Sequence, residues 1–231
     1  MKMGLLTPDE EIIREMREGI PKHKNICPSL ETRTLENRKL DWPPTTGTID
    51  GRFEAGCLAL TNTSEIEQIA RIYRLGFPEL FGGVYEDLHF PARYAGLTEQ
   101  MKILVLRDLQ QNNKVVSAWT LTPSEANMSV EFSLTVTDPD YRGKGLCKEF
   151  TKIADKLVEE TGAELGIAYC ATFHKTTQRI FQELGFGKQA ILKGFILANI
   201  GEGRYARDSV VMYTKFYNNA DRLCSSGIRL L

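Results

Sequence analysis

No apolar run in the sequence approaches the ~20 residues that a helix needs to cross a bilayer, so no membrane span is expected. Histidine is scarce: His23, His89 and His174 are the three present, too few and too scattered for a His-rich metal cluster. The five cysteines (Cys27, Cys57, Cys147, Cys170 and Cys224) are odd in number and contain no CxxC pair. That pattern suits free thiols in a reducing compartment better than disulfides or a zinc site, so a cytoplasmic location and no metal are expected. An excess of one charge is also lacking. Lys plus Arg number 29 and Asp plus Glu 30, for a net charge of −1, which argues against a strongly basic nucleic-acid or membrane-surface binder. Met1 to Ile20 has no long apolar core and carries acidic residues from Asp9 onward, unlike a secretory signal.

What remains is an ordinary globular composition, 42% hydrophobic and 26% charged over 231 residues, enough for one large domain with or without an appendage. Residues 1–52 read as a peripheral arm or linker, rich in charge and proline (Pro21, Pro28, Pro43, Pro44), with one helix near Glu10–Glu18. Whether this arm is the end of a larger fused protein stays open. Residues 53–217 read as the domain and 218–231 as a C-terminal tail.

Within the domain, Cys57–Leu60 reads as a short strand, and Ser64 with Glu67 as a capping box ahead of a helical stripe of Ile66, Ile69, Ala70 and Tyr73. An aromatic, Pro- and Gly-interrupted stretch follows from Phe77 to Tyr94. Lys102–Leu106 and Val115–Leu121 read as strands joined by a turn at Asn112-Asn113. Ser129–Val136 alternates, with Val130, Phe132, Leu134 and Val136 on one side and Glu131, Ser133 and Thr135 on the other. A helix after Gly145 carries Phe150, Ile153, Ala154, Leu157 and Val158 on one face and stops at Gly162. Then come a strand at Leu165–Ala171, a helix at Thr176–Leu184 ending at Gly185, and strands at Ala190–Leu197 and Ser209–Phe216. This order predicts a mixed α/β or α+β sheet.

The run Val136-Thr137-Asp138-Pro139-Asp140-Tyr141-Arg142-Gly143-Lys144-Gly145-Leu146-Cys147 joins a strand to the start of a strong helix. Its glycines allow a tight turn and close approach to a ligand. The free N–H groups and positive end of the helix favour a phosphate, and Arg142 and Lys144 add positive charge. The spacing is neither that of a Walker loop nor that of a dinucleotide fingerprint. The run resembles motif A of the GCN5-related N-acetyltransferase (GNAT) family, [QR]xxGx[GA]: Arg142 to Leu146 match in order, and Cys147 stands where Gly or Ala is usual. Downstream, His174 to Phe186 resembles the family's N-x-x-A-x-x-x-Y helix followed by Gly-Phe, with Leu184-Gly185-Phe186 matching well. The likeness covers roughly residues 56–216.

The resemblance implies a sheet of six or seven mostly antiparallel strands, flanked by helices and splayed where acetyl-CoA binds. It implies that the backbone of Leu134, Thr135 and Val136 pairs with the pantetheine arm, and that Arg142, Gly143, Lys144, Gly145, Leu146 and Cys147 hold the pyrophosphate. It implies acetyl transfer to a primary amine of a small molecule or protein lysine, with Glu131 as base. The usual thiolate acid is a tyrosine, but that position holds Phe181, which has no proton to give. His174 then stands as CoA contact or acid, with Tyr169 and Tyr141 as further candidates and Cys170 as a remote nucleophile. The Phe77–Tyr94 stretch falls at the acceptor pocket, where Glu79, Glu86 and Asp87 suit a cationic acceptor, and Lys193–Arg207 is expected to close over it. A homodimer or fusion to a larger enzyme fits family habit. The alternative is a non-catalytic acyl-CoA-binding regulatory domain, favoured by Phe181.

Overall fold

The alternation and the helical stripes resolve into an eight-stranded sheet with helices on both faces. The computed structural model describes residues 39–43, 47–58, 61–77 and 101–223, apart from the side chains of 199, 201 and 223. Cys27, Cys224, the helix expected near Glu10–Glu18, and Glu79, Glu86 and Asp87 lie outside the described residues. One compact unit runs Asn37–Asn218. The chain outside it forms a second unit, of which a 3-10 turn at Ala220–Leu223 is described.

The strands are β1 (Gly47–Ile49), β2 (Phe53–Cys57), β3 (Lys102–Asp108), β4 (Lys114–Ser124), β5 (Ser129–Thr137), β6 (Leu165–Ala171), β7 (Gly187–Gly201) and β8 (Arg204–Phe216). They lie in the order β1-β2-β3-β4-β5-β6-β8-β7. Every pair is antiparallel except β5 with β6, which are joined through a helix as parallel strands require. The eighth strand comes from the presumed arm. β1 pairs with β2, and Leu40, 2% exposed, belongs to the core, so the domain begins well before residue 53. The strand expected at Cys57–Leu60 instead ends at Cys57. It extends N-terminally through Phe53 because Phe53 and Ala55 alternate into the core.

Helix α1 (Thr63–Gly76) covers one face of the sheet. Ile66, Ile69, Ala70, Ile72 and Tyr73 pack there on Ile103 and Val105 of β3 and on Val115 and Ala118 of β4. The expected cap is corrected: Asn62, not Ser64, caps this helix, its Oδ1 accepting the Glu65 N–H at 3.2 Å. Helices α2 (Leu146–Glu160) and α3 (Lys175–Glu183) cover the other face. Phe150, Ala154, Leu157 and Val158 of α2 and Phe181 of α3 join Trp119, Leu121, Val130, Phe132 and Tyr213 in the larger core. Burying a side chain of this size contributes roughly 1.5–3 kcal/mol.

One turn needs left-handed backbone and gets it from residues that tolerate it. Asn112 and Asn113 sit at φ 52° and 57° ahead of β4, the conformation that tight hairpin connections favour. Lys193–Arg207, expected to close over the acceptor, is strand almost throughout: β7 and β8 run past the expected Leu197 end as a paired hairpin to Gly201↔Arg204.

Candidate active site

The alternation of β5 fails at one point. Its pairing with β4 shifts between Ala118↔Val136 and Thr120↔Ser133, so Leu134 and Thr135 both stand opposite Trp119. Leu134 takes φ +51°. This is a β-bulge, which adds a residue and reverses the faces beyond it. Val130 and Phe132 therefore point to the α2/α3 core, whereas Val136 points to the α1 core. There Val136 meets the end of α1 so closely that a Cβ on Gly76 would lie 2.2 Å from Val136 Cγ2.

At the same point β5 leaves β6. The parallel pairing runs from Ser129↔Leu165 to Phe132↔Ala168 and stops. β5 continues to Thr137 beside β4, and β6 to Ala171 beside β8. The splay expected from the resemblance is thus a four-pair ladder that opens into a cavity of about 170 Å³. Glu131, Leu134, Thr135 and His174 all line it, together with Tyr169, Phe181 and Phe195. Val136 does not, because the bulge has turned it to α1.

Glu131 lies between Val130 and Phe132, so its side chain is on the face away from α2 and α3. It is half-buried, and this burial pushes its carboxyl up, with a hydrogen bond from Ser133 opposing. Tyr169 follows the same logic. Ala168 and Cys170 are buried in the α2/α3 core, so Tyr169 shares the face of Glu131. Burial, and then the nearby Glu131 charge, push its phenol up. His174 is the N-cap residue of α3, exposed, with its ring edge-on to Phe173 at 4.4 Å. The burial of Cys170 pushes its thiol up to about 12, which disfavours the thiolate that a nucleophilic cysteine needs.

Phe181 is 1% exposed and makes edge contacts with Trp119 (5.9 Å), Phe132 (5.8 Å) and Phe186 (4.8 Å). It is an aromatic floor to the cavity, with no proton to donate. Tyr141 is not at the cavity. Its hydroxyl donates to Asp108 Oδ2 at 3.0 Å, and Arg52 pairs with the same oxygen at 2.6 Å. That bond to Arg52 holds the Asp108 carboxyl below its usual range. The sequence motif around Tyr141 is therefore a brace. Asp138 caps the 3-10 turn Pro139–Tyr141 through the Asp140 N–H at 3.1 Å and pairs with Arg71 (3.2 Å) and Lys114 (3.3 Å).

The brace delivers the chain into the Gly loop. Gly143 and Gly145 have φ +76° and +75°, and a Cβ on either would meet nothing within 4 Å. The backbone N–H groups of Gly143 to Cys147 donate to no acceptor among the described residues. Arg142 and Lys144 are exposed and lie along the loop, Arg142 Nε donating to the Thr137 carbonyl (3.0 Å) and Lys144 Nζ to that of Asp140 (3.1 Å). Burial raises the Cys147 thiol above its ordinary value, so Cys147 adds no negative charge at the loop near neutral pH. The loop does not line the cavity; β5 and α2 connect the two.

Sequence reasoning placed Phe195 within the Lys193–Arg207 segment but did not single it out among the residues that line the cavity. Gly194 beside it, inside a strand pattern, was the available signal for a bulge.

Among the described residues, no helix is long and apolar enough to cross a membrane, and no group of three or more His, Cys, Asp or Glu could hold a metal ion. The sequence matches no family model and no curated protein. The fold, however, has many counterparts among solved structures. The ribosomal-protein-S5-alanine acetyltransferase from Vibrio fischeri superimposes with a TM-score of 0.61 at 12% identity, over 76% of this chain and 98% of that one. A GNAT-family structure from Chromobacterium violaceum gives 0.58 at 13%, over 77% and 94%. The yncA protein from Salmonella typhimurium, solved with its cofactor acetyl-CoA, gives 0.55 at 16%, over 73% and 95%. The chain has the fold of the GCN5-related N-acetyltransferases.

Proposed function

We propose that the protein is an N-acetyltransferase that moves an acetyl group from acetyl-CoA directly to a primary amine. The observation that carries this reading is the parting of β5 from β6 at Phe132, which opens a cavity with one carboxylate on its wall and leads, along the same strand, to a loop of unbonded amides. A splayed strand offers backbone groups for an extended ligand to pair with, as an added strand would.

The residues present fit acetyl-CoA. The free amides of Gly143 to Cys147 at the start of α2 suit a pyrophosphate. The space where Cβ atoms would stand at Gly143 and Gly145 lets phosphate approach the backbone. Thr135 Oγ1 is buried on the cavity wall with no nitrogen or oxygen partner among the described residues and only the weak Cys147 thiol beside it, a polar atom for the pantetheine arm to satisfy. Bound there, acetyl-CoA supplies an activated thioester carbonyl.

The chain's own residues then have three tasks. Glu131 removes a proton from the amine; its raised pKa brings a carboxylate closer to the pH at which a general base works best. The bulge takes Leu134 and Thr135 out of the regular ladder, so that a backbone N–H there can face charge developing on the carbonyl oxygen. His174, exposed at the mouth of the cavity, returns a proton to the departing thiolate in place of the missing tyrosine.

The test is calorimetric titration with acetyl-CoA followed by CoA release against a panel of amines. Micromolar binding with turnover on an amine supports the reading. Binding without turnover on any amine would favour a regulatory acyl-CoA-binding domain, for which Phe181 is the argument. Absence of binding would remove the reading altogether.

A further inference from the structure

Phe195 is 52% exposed, yet its ring is held in stacking on Tyr169, 5.3 Å between centroids and 24° between planes. The backbone builds this arrangement. β7 and β8 pair at Leu192↔Val210 and resume at Ile196↔Asp208, so Lys193, Gly194 and Phe195 stand opposite the single residue Ser209. Gly194 takes φ +62° and donates its N–H to Ser209 Oγ at 3.2 Å, while its carbonyl accepts from Arg207 Nη1 at 3.0 Å. Bulges beside cavities re-aim side chains, and this one turns Phe195 onto Tyr169. Part of the Phe195 ring stays open to solvent at the cavity.

The charges on the cavity wall are as selective as the rings. Among the described residues, Glu131 is the one carboxylate in the lining, and no Lys or Arg is there. A single negative group suits a ligand with one cationic nitrogen. An amino acid would bring a carboxylate with no basic partner among the described lining residues. From these features we infer that the acceptor is an arylalkylamine, a primary amine on a short chain that ends in an aromatic ring, with the ring against Phe195 and the nitrogen at Glu131. The inference rests on the acetyltransferase reading. The amine, free of its extra proton, forms a C–N bond to the acetyl carbonyl carbon, and the C–S bond breaks with its electron pair on sulfur. Glu131 accepts the proton the nitrogen loses and the sulfur gains one, leaving an N-arylalkyl acetamide and the free thiol of CoA.

The experiment compares kcat/KM of the full chain for 2-phenylethylamine, n-hexylamine, spermidine and glycine, with acetyl-CoA as donor. Phe195→Ala and Phe195→Tyr are run alongside, and acetyl-CoA affinity is measured by calorimetry for each protein. The expected result is a preference for 2-phenylethylamine over n-hexylamine on the order of tenfold, the scale of an aromatic contact with added apolar burial. Phe195→Ala should lose that preference through KM while binding acetyl-CoA as before, and Phe195→Tyr should keep it. Equal or better use of n-hexylamine, spermidine or glycine, or a preference unchanged in Phe195→Ala, would overturn the arylalkylamine inference and leave the acetyltransferase reading standing. Binding of acetyl-CoA with no turnover on any of the four would also overturn it. Loss of acetyl-CoA binding in the unsubstituted chain would remove both.

Discussion

Glu131 links its proposed role as base to stability through one partial burial. Its pKa is higher in the folded chain than in the unfolded one, so folding takes up protons between the ordinary carboxylate value and the raised one. Stability is therefore full below that window and falls as pH rises through it. Glu131→Gln has no such loss. Its stability relative to the parent should grow with pH across the window and then level off, as urea unfolding at several pH values would show. The same substitution should slow acetyl transfer by on the order of 10²- to 10⁴-fold, the range for a lost general base. It should also remove the acidic limb of the rate profile while acetyl-CoA binds unchanged. An unaltered rate would make Glu131 a wall residue only. Gly145 has the opposite character, since it matters for what it lacks. Gly145→Glu would place bulk and negative charge against the amides of the loop at a φ of +75°, and should abolish acetyl-CoA binding in a protein that still folds, as calorimetry with circular dichroism would establish. The Gly turn of Arg142 to Cys147 into α2 could be read from the sequence because glycine spacing and helix onset are local. Phe195 could not, since its partner Tyr169 is 26 residues away and the bulge that joins them is a property of the β7–β8 pairing.

Among the elements, α1 and β5 show why some boundaries were legible and others were not. The apolar stripe of α1 fixed which residues face the sheet, and Ile66, Ile69, Ala70 and Tyr73 are all buried as their spacing requires. The cap was misplaced because Ser64 with Glu67 and Asn62 with Glu65 carry competing signals two residues apart. The structure selects Asn62, whose Oδ1 reaches the Glu65 N–H. Asn62→Ala should accordingly cost about 0.5–2 kcal/mol, and Ser64→Ala should stay within about 0.5 kcal/mol, both measurable by urea denaturation. β5 reads as a clean alternating strand, which is true up to Ser133. Beyond it the bulge reverses inside and outside. Nothing within the strand marks that reversal, since Leu134 is an unusual residue for a left-handed φ. The stretch of the sheet that borders the cavity was thus the least predictable from its own residues.

For the whole molecule, a mostly antiparallel sheet flanked by helices and splayed before the Gly loop followed from the resemblance, whereas the eighth strand did not, because three residues of β1 are too short a signal. The domain as a whole should register its ligand. Acetyl-CoA at a hundredfold excess over its Kd adds about 2.7 kcal/mol to stability, which for a chain of this size raises Tm by roughly 5–11 °C. Differential scanning fluorimetry with and without acetyl-CoA would detect it, and no shift at millimolar ligand would exclude tight binding. The four-pair ladder between β5 and β6 carries a mechanical consequence as well. β1 to β5 form one run of antiparallel strands and β6 to β8 another, and among the described residues the strand pairing that fastens these two runs extends from Ser129↔Leu165 to Phe132↔Ala168. A molecule lying in the gap would complete the missing part of that seam, acting for the length of its stay as a strut between the two leaves. Amide deuterium exchange should then slow on both sides of the gap together when acetyl-CoA binds, in β6 and β8 as well as in β4 and β5.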